Sequence, residues 1–91
     1  MDYNWELGRL KETGKFVLGE KSAEKMTKKG QVKALVIADE PHLKAKYGEI
    51  DRPKYVVPLN SMQLGNVFGK VFPVSVVGVI DSGDSQFKGN E

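Results

Sequence analysis

Residues able to do covalent chemistry are scarce in this sequence, whereas residues able to hold an anion are not. The sole histidine, His42, sits in the charged stretch PHLKAK, and there is neither a cysteine nor a G-x-S-x-G elbow to activate a serine. Without partners to orient it, His42 reads as a solvated surface residue. Asp81 and Asp84 flank Ser82-Gly83, where aspartate accepts local backbone hydrogen bonds and glycine takes positive φ. They read as a turn rather than as a carboxylate pair. Gly14-Lys15 and Gly69-Lys70 lack the flanking pattern of a P-loop. No enzyme is expected, and no cofactor, metal or small-molecule substrate is implied.

Anion chemistry has a better candidate in KFVLGEKSAEKMTKKGQ, residues 15–31. A strand that ends in Gly19 and passes directly into a helix exposes the first N–H groups of that helix, and the missing side chain lets another backbone approach. An anion is the natural guest. Glu20 suits a first turn, but Lys21 opposes the helix dipole at a cost of roughly 0.3–1 kcal/mol unless something compensates it. A docked phosphate would reverse that sign. Lys25, Lys28 and Lys29 gather on the same side, since residues three and four apart are helix neighbours. From these residues alone, a solvated face balanced by a Glu24 to Lys28 pair and an anion site stay equally open. A second feature is GKVFPVS, which places Val71 and Phe72 in a loop, where apolar side chains are unusual. Either Phe72 folds back over the core, the commoner outcome, or it forms an exposed apolar surface. If the turn Asp39-Glu40 lies beside both, the three would suit RNA, with lysines meeting phosphates and an aromatic ring meeting a splayed base.

The elements that must position these residues alternate between helix and strand. Asp2 is a plausible cap for a helix carrying Tyr3, Leu7 and Leu10, closed by Thr13-Gly14. KFVL (Lys15 to Leu18) reads as a strand, followed by a helix from Gly19 to about Lys29 with Ala23 and Met26 inward. VKALVIA (Val32 to Ala38) is nearly continuous apolar residue, as expected of a strand covered on both faces. Pro41 opens a short third helix interrupted at Gly48, and KYVVP (Lys54 to Pro58) reads as an edge strand punctuated by prolines. Asn60 and Gln63 have capping-box spacing before a helix whose apolar stripe is Met62, Leu64, Val67 and Phe68. VSVVGVI (Val74 to Ile80) is the most apolar strand and therefore central, DSGDS is a turn, and residues 86–91 read as a frayed tail. These elements make an α/β fold, a three-layer α/β/α sandwich with a four-stranded mixed sheet, in one domain over residues 1–91.

Composition is consistent with that reading. A chain of 91 residues buries roughly two-thirds of its unfolded surface, enough for one core without staples. No apolar run approaches the ~20 residues of a membrane helix, and MDYNWELGRL lacks the features of a secretory signal, so a cytoplasmic domain with no membrane partner is expected. Lys and Arg total 14 against 12 Asp and Glu, a net charge of +2. That excess is too small to steer the whole molecule, so any polyanion site must come from charges gathered on one face.

Three motifs, taken in order, resemble a known family. They are T-G-K-x-V-L-G-x-K at Thr13 to Lys21, L-G-x-x-x-G-K at Leu64 to Lys70, and I-D-x-G-D-S at Ile80 to Ser85. Together with VKALVIAD they resemble the large-subunit ribosomal protein thirty family of eukaryotes and archaea, within the kink-turn RNA-binding superfamily. The resemblance implies an α/β/α sandwich and a structural role in the large ribosomal subunit, with rRNA and neighbouring ribosomal proteins as partners. It also implies an RNA site where three segments meet: Gly19 admitting the RNA backbone, with Glu20 beside it and Lys21 on a phosphate; the Asp39-Glu40 turn; and the Val71-Phe72 loop, Phe72 packing on an exposed base. Lys25 matches a lysine of the same helix, Lys28 prolongs its basic face, and Lys44 matches a basic position of the third helix. The chain departs from the family at Asp39 and Glu40, where an asparagine pair able to donate is usual; ionised carboxylates only accept, and they repel phosphate. Alternatives are a kink-turn binder or regulator outside the ribosome, or a protein-interaction module on the same fold.

Overall fold

The computed structural model describes residues 3–48 and 53–87. The expected Asp2 cap, the segment after Gly48 and the last four residues lie outside them. Helices α1 (Tyr3–Thr13), α2 (Glu20–Lys28), α3 (Pro41–Tyr47) and α4 (Ser61–Val67) alternate with strands β1 (Lys15–Leu18), β2 (Ala34–Ala38), β3 (Lys54–Val57) and β4 (Val76–Asp81). The sheet order is β1-β4-β2-β3, with β4 antiparallel to both its neighbours and β2 parallel to β3. Interior strands should be the most apolar, and every residue of β2 and the first four of β4 are buried.

Side-chain alternation assigns the helices to faces. On one face the Phe16 ring meets Phe68 at the end of α4, 4.8 Å between centroids, and Leu7, Leu10 and Leu64 complete the layer. On the other, Gly78 lies under α2: a Cβ there would stand 3.0 Å from Val17 Cγ2 and 3.4 Å from the Ala23 Cα. That missing side chain lets α2 sit close on the sheet. Leu35, which pairs with Gly78, shares this face with Ala23 and Tyr47. The sandwich thus has three layers, α1 and α4 on one side and α2 and α3 on the other.

Local signals behave as their chemistry dictates, with corrections. The Asn60 side chain accepts from the Gln63 N–H at 2.8 Å and the Gln63 side chain accepts from the Asn60 N–H at 2.9 Å, so α4 opens with the expected capping box. Met62, expected in the stripe, is instead exposed, because the second position of a helix that docks through Leu64 and Gly65 points outward. The expected frayed tail is also corrected at Gln86 and Phe87. The Gln86 N–H donates to the buried Glu6 carboxylate at 3.1 Å, and Phe87 is fully buried with its ring edge-on to Tyr55. Strands β2 and β4 start two residues later than the apolar runs suggest. Val32 and Val74 are buried ahead of the ladders, and the Val74 N–H bonds to Ser61 of α4 rather than to a strand.

Candidate nucleic-acid interface

Strand order brings three segments to one end of the sheet. The C-terminal ends of β1 and β2 flank the N-terminal end of β4, because β4 runs antiparallel to both. The Gly19 N–H bonds to the Val76 carbonyl at 2.8 Å, and the Ala38 N–H bonds to the Ser75 carbonyl at 3.0 Å. Gly19, the Asp39-Glu40 turn and the Val71-Phe72 loop are therefore neighbours at this end.

Gly19 has φ 94° and ψ 159°, a backbone region that suits glycine, and a Cβ there would meet no described atom within 4 Å. It is the N-cap of α2 without a side-chain cap, so the helix start keeps N–H groups turned outward. The lysines follow: Lys21, Lys25, Lys28 and Lys29 line a shallow groove of about 380 Å³ together with Glu24. Among the described residues the expected Glu24–Lys28 pair does not form. Glu24 pairs instead with Lys46 of α3, which lies between the two acids of α2, 3.1 Å from Glu20 and 3.7 Å from Glu24.

Glu20 was expected at the RNA edge, and its carboxylate is turned to α3. Its Oε1 accepts from Lys46 Nζ and from the Tyr47 hydroxyl, both at 3.1 Å. The Lys46 hydrogen bond, opposed by partial burial and aided by Tyr47, holds the Glu20 carboxyl below its ordinary value. Burial and the neighbouring Glu20 push the Tyr47 hydroxyl well above the usual tyrosine range. Lys21 is left without that carboxylate as a partner.

The acidic turn is likewise engaged internally. Asp39 pairs with Lys44, so the basic position expected on α3 offsets one of the two acids of the turn. Glu40 Oε2 accepts from the Ser61 N–H at 2.7 Å, and its Oε1 lies 3.6 Å from His42 Nε2. The Ser61 hydrogen bonding is the main cause of a lowered Glu40 pKa.

The Val71-Phe72 loop resolves the open alternative: Phe72 is 52% exposed and Val71 94%. Helix α4 carries this loop. The Lys70 N–H bonds to the Gly65 carbonyl at 3.0 Å and the Val74 N–H to the Ser61 carbonyl at 2.9 Å. Between them the backbone crosses α4 so closely that a Cβ on Gly65 would stand 2.2 Å from the Phe72 carbonyl oxygen. Gly65 and Ser61 are positions that reading the sequence missed. The signal was a glycine inside a helix, which costs roughly 1 kcal/mol and needs a packing reason.

Fold and site define an α/β/α sandwich domain that gathers a glycine-initiated lysine helix and an exposed aromatic loop at one end of its sheet. Comparison with known proteins is more specific. The model of the ribosomal protein L7Ae/L30e/S12e/Gadd45 family matches residues 1–88, and the chain belongs to that family. Among similar proteins, the large ribosomal subunit protein eL30 of Sulfurisphaera tokodaii is 39% identical over 87 residues, covering 89% of this chain and 82% of its own. Its counterpart in Candida glabrata is 36% identical, covering 90% and 84%, and that of Methanospirillum hungatei 35%, covering 93% of each. A solved structure of a protein of unknown function from Bacillus halodurans superposes with a TM-score of 0.65 at 28% identity, over 88% of this chain and 85% of that one.

Proposed function

We propose that this protein is a structural constituent of the large ribosomal subunit in the cytoplasm, gripping a kinked, internally looped rRNA segment without catalysing any reaction. The observation that carries the reading is the convergence at one sheet end of the open Gly19 helix start, its lysines and the exposed Phe72 loop. Membership of a family that binds kink-turn RNA supports it, as does likeness to eL30 proteins over most of their length. Neighbouring ribosomal proteins are the expected further partners.

The division of labour follows from exposure. Lys21, Lys25 and Lys28 neutralise phosphates along the α2 groove, a term that weakens with salt. Gly19 lets the RNA backbone approach the N–H groups of the helix start. Phe72, flanked by Val71, supplies a face on which an unstacked base of the kink packs, worth roughly 1–3 kcal/mol for a base–aromatic stack. Gel-shift titration against a kink-turn RNA at several salt concentrations tests this. Lys21→Ala should weaken binding and flatten the salt dependence, and Phe72→Ala should weaken binding about tenfold with the salt slope unchanged. Parent-like binding by both variants would place the site elsewhere, and no binding by the parent at low salt would favour a protein-interaction module.

A further inference from the structure

We infer that Glu40 is a positioning residue for the Phe72 loop, acting through α4, and neither reads nor repels RNA itself; this rests on the RNA reading above. The chain of contacts is continuous. Glu40 Oε2 accepts from the Ser61 N–H at 2.7 Å, and the Ser61 carbonyl in turn accepts from the Val74 N–H at 2.9 Å, where the loop rejoins the path to β4. The other end of the loop hangs from the Gly65 carbonyl of the same helix. Phe72 is therefore aimed by α4, and whatever holds α4 holds Phe72.

Helix α4 needs such a hold. It has only seven residues, and an isolated helix that short is unstable in water. Its capping box satisfies the N–H groups of Asn60 and Gln63 and leaves that of Ser61 to be met from outside. Glu40 meets it, with its charge placed at the positive end of the helix. A backbone bond from the Asp39 N–H to the Leu59 carbonyl, 2.8 Å, brings the two segments together, and the carboxylate sets the angle at which α4 leaves them. The side chain is 24% exposed; the His42 imidazole of α3 faces it, and the Asp39–Lys44 pair lies beside it. A residue that looks hostile to phosphate is thus used inside the fold.

Three variants and one RNA-free measurement test this. Glu40→Gln keeps an acceptor for the Ser61 N–H and should bind kink-turn RNA within about threefold of the parent. Glu40→Ala should lose about fivefold to tenfold, and Glu40→Ala with Phe72→Ala should bind no more weakly than Phe72→Ala alone. Amide hydrogen exchange of the free protein should accelerate at Val74 but not at the core Val77 in Glu40→Ala, and revert in Glu40→Gln. Additive losses, tighter binding by Glu40→Gln, or equal losses in the alanine and glutamine variants would overturn the inference, since they signify direct contact or repulsion. Unchanged Val74 exchange would also overturn it, and acceleration at Val77 as well would assign Glu40 to global stability instead. If the parent fails to bind RNA, the functional reading falls, and the exchange pattern still decides whether Glu40 holds the loop.

Discussion

The two ends of the sheet carry the same kinds of residue and use them in opposite ways. At the far end, Gly14 and Gly83 are packed so tightly that a Cβ would stand 2.5 Å from the Asp81 carbonyl oxygen and from the Thr13 backbone, respectively. The Thr13 hydroxyl donates to Arg9 and accepts from the Asp84 N–H at 2.9 Å, and the Asp81 carboxylate accepts from the Gly83 N–H. The motifs there are consumed by each other. At the near end, a Cβ on Gly19 meets nothing described, and Val71 and Phe72 stand in solvent. Two stretches quoted for the same family resemblance thus differ in setting: one is packed into the fold, and the other is left exposed. What a missing side chain would touch separates them, and the motif alone does not.

Two phenylalanines give the hardest test of that contrast. Phe87 is fully buried against Tyr55, so Phe87→Ala should cost about 3–5 kcal/mol in urea unfolding while the folded fraction keeps its RNA affinity. Phe72→Ala should do the reverse, leaving the unfolding midpoint nearly unchanged and lowering affinity. A large stability loss at Phe72, or RNA loss from folded Phe87→Ala, would break the division between the ends.

Gly83→Ala is the next step down. It places a Cβ against Thr13 at a φ of 57°, so crowding and left-handed backbone together should cost about 2–4 kcal/mol. Thermal unfolding should show the loss, with the salt slope of RNA binding unmoved. If Gly83→Ala folds normally and binds RNA poorly, the far end is a second interface.

How much of this was legible depended on whether a residue's partner lay nearby in sequence. β1, the edge position of β3 and the α4 capping box follow from local chemistry, and so does the Gly19 helix start. The starts of β2 and β4 were read two residues early because burial and ladder pairing differ: Val32 and Val74 are apolar for the core and outside the strands. Phe87 read as a tail because its contact, Tyr55, lies on a distant strand. The acids were the least legible. Glu20, Glu24, Asp39 and Glu40 are all satisfied by side chains or N–H groups that only α3 and α4 bring to them. A helix wheel could propose Glu24 with Lys28, but it could not show that Lys46 would arrive between two carboxylates.

That arrival gives the smallest prediction and the finest distinction within the near end. Lys46 and Tyr47 hold the Glu20 carboxylate away from Lys21, so Lys46→Met should release a negative charge beside the helix start proposed to hold a phosphate. RNA affinity should fall by about twofold to fivefold, a small effect because the pair is solvent-exposed, and the loss should shrink in high salt. The pH dependence has a definite sign. Because the folded Glu20 carboxyl lies below its ordinary value of 4.5, the stability it contributes is present above that value and is lost as pH falls through the folded value. Glu40 is lowered too, by Ser61, and adds to the same acid limb without depending on Lys46. The stability difference between parent and Lys46→Met should therefore close as acid protonates Glu20, while the contribution of Glu40 to the acid limb persists in the variant. Carboxyl carbon shifts would show the Glu20 midpoint returning toward 4.5 in the variant with the Glu40 midpoint unchanged. An unmoved Glu20 midpoint would mean that Lys46 does not hold the carboxylate, and the Tyr47 hydroxyl alone would then account for its turn toward α3.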